Sequence, residues 1–201
     1  MARTHWTPKN RYCRDSNLTE EEFTAIVACF VKGRTATSAQ KAMSEDGGYK
    51  VSRPTVATYF VRIGNYIYEK MARPAMLEAM RGENPGLDWP DEKLERYAVE
   101  ELWKNMRGET DYEAYRERGL IFPHEVFRTL LVHRNKKLRG LTRDTFPSHL
   151  GYLFYRYYVD AVAQDPSVRW ESIPQEQRVD RDAIEMGGLL GLIERLARDP
   201  L

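Results

Sequence analysis

Three apolar stripes at helical spacing, each opened by capping residues, are crowded into residues 19–71, and this constrains the fold more than any other feature of the chain. Thr19-Glu20-Glu21-Glu22 reads as an N-cap with a capping box, its acids suited to the positive end of a helix dipole. Phe23, Ile26, Val27, Phe30 and Val31 then form one face, and Gly33 ends the helix. A shorter helix is predicted from about Thr37 to Ser44, with Ala39, Ala42 and Met43 facing inward. "EDGGYK" reads as the following turn, because glycine reaches positive φ without strain. In the third stretch Ser52 can cap the first free N–H groups, and Pro54 suits a first turn that has no use for its missing donor. Val56, Phe60, Ile63 and Ile67 mark the buried side of that helix. It is predicted to run to about Met71 and to stop near Pro74, where the proline ring would clash with the preceding turn.

A short second helix, a glycine-containing turn and a long capped third helix make a helix-turn-helix pattern, with the third as recognition helix. Arg53, Thr55, Thr58, Tyr59 and Arg62 fall off the buried stripe near the start of that helix, where a major-groove reader needs donors, acceptors and positive charge. Arginine against the O6 and N7 of guanine is the commonest specific pair, and threonine can touch bases or a thymine methyl. Lys50, Ser52 and Thr37 sit where helix starts could hold phosphates. Residues 1–17, with Arg3, Lys9, Arg11 and Arg14 among Trp6 and Tyr12, read as an extended basic arm able to follow the DNA backbone or enter the minor groove. The same residue types would also suit a small helical bundle with no DNA role.

Charge is unevenly spread. Residues 1–80 hold 12 Lys and Arg against 8 Asp and Glu, and residues 81–201 hold 19 against 22, so the basic excess accompanies the predicted recognition helix. A composition of 42% hydrophobic and 30% charged residues predicts a folded chain. No apolar run reaches membrane-spanning length, and the N-terminus lacks the apolar segment of a secretory signal, so a cytoplasmic, nucleoid-associated protein is expected. Cys13 and Cys29 supply neither a disulfide framework nor a four-ligand zinc site, and the four histidines are scattered, so neither metal nor cofactor is expected.

Residues 74–92, rich in Pro and Gly, read as a hinge with room for a short helix. From there to residue 201 a helical C-terminal domain is expected. Its parts are a helix with Leu94, Tyr97, Ala98, Leu102 and Trp103 on one side, a basic cluster at Arg134, Lys136, Lys137 and Arg139, an aromatic-rich helix containing Tyr152, Phe154, Tyr155, Tyr157 and Tyr158, and a last amphipathic helix over 183–197. The aromatic block suits core packing better than a base-stacking platform. The basic cluster suits a second DNA contact or a solvated helix end. The last helix is a candidate surface for a homodimer or a protein partner. No period-2 pattern appears, so the fold class expected is all-α, with residues 18–73 as the helix-turn-helix domain and 93–201 as the second domain.

Two stretches resemble the ends of ISXO-type insertion-sequence transposases. The first runs from "RYCRDSNLTEEEF" through "VSRPTVATYFVRI" and carries Phe23, Phe30, Thr35-Ala36-Thr37, Arg53, Thr55 and Val56; the second, "HEVFRTLLVHRNKKLRGLTRDTFPSHLGYLFYRY", carries Phe127, Gly140, Thr145, Phe146, His149, Leu150, Phe154 and Arg156. The resemblance implies an N-terminal DNA-reading head and places Glu125 where the family has its last catalytic acid. About fifty residues separate Met71 from Glu125, against roughly a hundred of mixed sheet and helix that hold the acids of such a core, and Asp88, Asp91 and Asp111 show no sign of converging with Glu125. Two-metal phosphoryl transfer requires that convergence. The expectation is therefore a sequence-specific binder of double-stranded DNA, derived from a transposase and regulating transcription or a mobile element without catalysis. A compact metal-dependent transposase and a helical scaffold that binds only protein are the alternatives.

Overall fold

The computed structural model describes residues 10–13, 15–107, 142–164 and 181–201. Among these the structure is helical, with no strand: α1 (Glu20–Val31), α2 (Ala36–Gly47), α3 (Arg53–Ile67), a π-helical turn (Tyr68–Ala72), α4 (Arg73–Glu83), α5 (Asp91–Arg107), α6 (Phe146–Gln164) and α7 (Arg181–Arg198). The chain divides into two compact units, Met1–Ile63 with Tyr158–Leu201, and Gly64–Tyr157. The division falls inside α3 and α6, not at the glycine- and proline-rich stretch 74–92.

In the first unit α1 begins as the capping box requires. Thr19 Oγ1 accepts from the Glu22 N–H at 3.2 Å, and the Glu22 carboxylate accepts from the Thr19 N–H at 3.0 Å. Gly33, at φ 68°, follows the last turn. α2 starts earlier than predicted, because Thr35 is the N-cap: its hydroxyl oxygen accepts from the Ser38 N–H at 3.2 Å. It also runs through Glu45, Asp46 and Gly47, which the sequence assigns to a turn. The terminator is Gly48, whose φ of 66° costs glycine nothing, and the Tyr49 N–H returns to the Met43 carbonyl at 3.1 Å. The link to α3 is thus residues 48–52.

The core of this unit joins Phe23, Ile26, Val27 and Phe30 of α1 to Ala39 and Met43 of α2 and to Val56, Tyr59 and Ile63 of α3, with Leu192 and Leu196 of α7 also fully buried. Rings knit it: Phe23 stacks on Tyr12 at 5.8 Å and meets Tyr59 edge-on at 5.7 Å, and Phe30 meets Phe60 edge-on at 5.6 Å. Residues 10–13 and 15–17 are not an extended arm, since Asn10, Tyr12, Cys13 and Ser16 are buried. The Asn10 carboxamide accepts from the N–H groups of Tyr12 and Cys13 and donates to the carbonyls of Leu18 and Thr19, which folds the segment against α1. A buried backbone needs such partners, and one asparagine supplies four. The rest of the expected arm lies outside the described residues. α7, the expected docking helix, packs on α1. Its Leu192 and Leu196 are therefore committed to the protein's own core, and Leu190 stays exposed.

In the second unit the helical path does not stop at Pro74. It passes through the π-turn, where the Arg73 N–H bonds to the Tyr68 carbonyl five residues back, and continues as α4 with Pro74 in its first turn. A widened turn makes room for the proline ring and for the donor it lacks. Only residues 84–90 of the predicted hinge lie between helices. Leu94, Ala98 and Leu102 of α5 meet Met76, Leu77 and Met80 of α4 and Phe146, Leu150 and Leu153 of α6 in one apolar cluster. Tyr155 is fully buried, while Tyr152 and Phe154 pack half-buried against that cluster, as the core reading of the aromatic block requires.

Candidate nucleic-acid interface

The surface expected to meet DNA is built from the starts of α2 and α3. Ser52 caps α3: its hydroxyl accepts from the Thr55 N–H at 3.3 Å and shares a 2.8 Å hydrogen bond with the Thr55 hydroxyl. Neither α2 nor α3 has an acid in its first turn, and α3 has none between Arg53 and Ile67. Lys50 and Arg53 are exposed, and neither has a hydrogen bond or ion pair among the described residues. Thr37 is exposed on the first turn of α2.

The other expected readers are placed differently. Tyr59 is a core residue, not a DNA contact: it is buried, its ring meets Phe23, and its hydroxyl donates to Ser16 Oγ at 2.6 Å. Burial pushes its phenol above the ordinary value. The stripe at 56, 60, 63 and 67 leaves Tyr59 on the flank, but buried Tyr12, Cys13 and Ser16 widen the covered arc of α3 to include it. Arg62 is half-buried with its guanidinium 5.5 Å from the Tyr59 ring centre, a cation–π contact that fixes it at the flank of the helix. Thr58 is exposed, but its hydroxyl donates to the Pro54 carbonyl at 3.0 Å, and the Thr55 hydroxyl is engaged with Ser52. Arg11 is exposed and held by its own neighbours: it pairs with Glu20 at 3.3 Å and donates to the Tyr12 hydroxyl at 2.6 Å. Arg14, Glu125, Asp111 and the cluster Arg134, Lys136, Lys137 and Arg139 lie outside the described residues.

One feature of α3 escapes the sequence reading. Pro54, Thr58 and Val61 are exposed and Ala57 is half-exposed. At 100° per residue these four lie within roughly 100° of arc, opposite Val56, Tyr59 and Ile63, with Arg53 at one edge and Arg62 at the other. Val61 and Leu190 are the two large hydrophobic side chains exposed among the described residues. The signal was present as a second run of apolar residues at i, i+3, i+4 and i+7, but the deeper stripe at 56, 60, 63 and 67 claims the same helical period.

Among the described residues no group of three His, Cys, Asp or Glu side chains could hold a metal ion. Asp91 pairs with Arg81 at 2.5 Å, and Asp88 is exposed. No described helix is long and apolar enough to cross a membrane. No protein-family model, curated protein or solved structure matches the chain.

Proposed function

We propose that this chain binds double-stranded DNA sequence-specifically through a helix-turn-helix formed by α2 and α3, as a transposase-derived regulator of transcription or of a mobile element acting in the cytoplasm. One observation carries the reading. Lys50 and Arg53 stand exposed and unpaired at the start of a helix that contains no acid, while its opposite face is anchored by Val56, Tyr59 and Ile63. A polyanion approaching that end meets two free cations and the positive end of the helix dipole, and no acid within α3 opposes it. Arg53 is the reader with an unengaged fork of donors; Lys50, Thr37 and Ser52 position the phosphates.

The test is selection of bound fragments from a random duplex library, followed by titration of the wild type, Arg53→Ala and Lys50→Ala. Arg53→Ala should weaken the selected site by about 1–3 kcal/mol and relax preference at one base pair, whereas Lys50→Ala should weaken all duplexes alike and reduce the salt slope by about 1. Equal binding by all three proteins would remove α3 from the interface.

A further inference from the structure

We infer that α3 reads thymine methyl groups, so that the preferred duplex carries a T-containing step beside the guanine read by Arg53. The inference rests on the DNA-binding reading above and deepens it.

The outward face of α3 has few free hydrogen-bonding groups. The Thr58 hydroxyl donates to the Pro54 carbonyl, the Ser52 and Thr55 hydroxyls share one hydrogen bond that leaves a single O–H between them, and Tyr59 is in the core. What remains along its centre is the Pro54 ring and the methyl groups of Ala57, Thr58 and Val61. In the major groove the one apolar feature of a base edge is the thymine 5-methyl, and alanine and threonine methyls are its usual partners. From residue 54 to residue 61 the helix rises about 10 Å, or about three base-pair steps of groove. Arg53 and Arg62 at the two edges of this stripe favour a polyanion over an apolar protein surface. A groove floor with methyl groups, walled by phosphates, matches that combination of an apolar centre and cationic rims.

Deoxyuridine is the probe, because it removes the methyl and leaves pairing and backbone charge intact. Sites selected by the full chain should contain A·T pairs, and replacing a contacted thymine by deoxyuridine should weaken binding about fourfold for each methyl removed. Val61→Ala and Thr58→Ser, which keeps the hydroxyl bond to Pro54, should bind less tightly, and each should lose the sensitivity to deoxyuridine at the thymine it faces. Selected sites that tolerate full deoxyuridine substitution, with Arg53→Ala still weakening them, would overturn the methyl reading and leave DNA binding standing. Binding unchanged in both Val61→Ala and Thr58→Ser would likewise overturn it and assign the stripe to a protein partner. Failure to retain any duplex would sink the DNA-binding proposal itself.

Discussion

The two units differ in how closely their helices approach. In the first, bulky side chains fill the space between helices: Tyr12, Phe23 and Tyr59 form one continuous aromatic contact, and Phe30 with Phe60 another. In the second an apolar cluster likewise fills the core, with Trp103 edge-on to Phe146 at 5.0 Å, but at one crossing helix backbones also touch. A Cβ at Gly64 would meet the Ser148 carbonyl oxygen at 2.5 Å, and a Cβ at Gly151 would strike the Gly64 carbonyl oxygen and come within 2.8 Å of the Tyr68 nitrogen. Here α3 and α6 cross backbone to backbone at Gly64 and Gly151, just before the π-turn. A polar clasp sits on the same stretch, where the Glu95 carboxylate accepts from the Tyr68 hydroxyl at 2.8 Å and from Arg73 Nε at 2.7 Å. Burial, with that hydrogen bond, holds the Tyr68 phenol protonated far above its ordinary value. Side-chain packing can adjust to substitution, but two backbones in contact cannot. The difference teaches that α3 is gripped tightly at its far end and more adaptably at the end proposed to meet DNA.

The strongest way to break this contrast is Gly151→Ala. The atoms it would hit are backbone, so the cost should reach about 3 kcal/mol or more in chemical denaturation. Gly82→Ala in α4 is the control, because nothing lies within 4 Å of its Cβ, and it should be neutral or stabilise by up to about 1 kcal/mol. Equal effects from the two would refute the close crossing.

Next in size is Glu95→Ala, which leaves the Tyr68 hydroxyl and Arg73 without their acceptor. A loss of about 1.5–3 kcal/mol is expected, with Glu95→Gln recovering part of it. A loss below about 0.5 kcal/mol would show the clasp to be ornamental.

Acid should single out the second unit through His149. Its Nε2 is buried with no hydrogen-bond partner among the described residues, and burial lowers its proton affinity below the ordinary value. The unfolded chain therefore binds the proton first. Stability from this group is complete above about pH 6.5 and falls as pH drops towards the folded value, by at most about 1.4 kcal/mol per pH unit. His149→Phe should flatten that part of the stability profile measured by denaturation across pH. An unchanged profile would mean that the folded state accommodates the charge.

The smallest effect concerns the first unit. Tyr59→Phe removes the hydroxyl bonded to Ser16 and keeps the ring, at a cost of about 1 kcal/mol. Duplex binding should not change, which separates the buried position of Tyr59 from a contact role. Weaker binding at unchanged stability would return it to the interface.

The sequence by itself determined the helical class, the cap of α1 through Thr19 and Glu22, the cap of α3 through Ser52, the end of α1 at Gly33, and the buried stripes of α1, α3 and α5. Each is settled by residues within one or two turns of each other, so the needed partners sit in the same short string of letters. Tertiary structure alone decided that Ser16 meets Tyr59, a hydrogen bond spanning 43 residues. It also decided that α7 closes on α1, that the helix passes Pro74 through a π-turn clasped by Glu95, and that Gly64 meets Gly151. These contacts join segments far apart in the chain, and which of many apolar or small residues meet is fixed by competition for one core. The helical period shows which faces of α3 are apolar. Only the packed molecule shows which of them is covered and which is exposed.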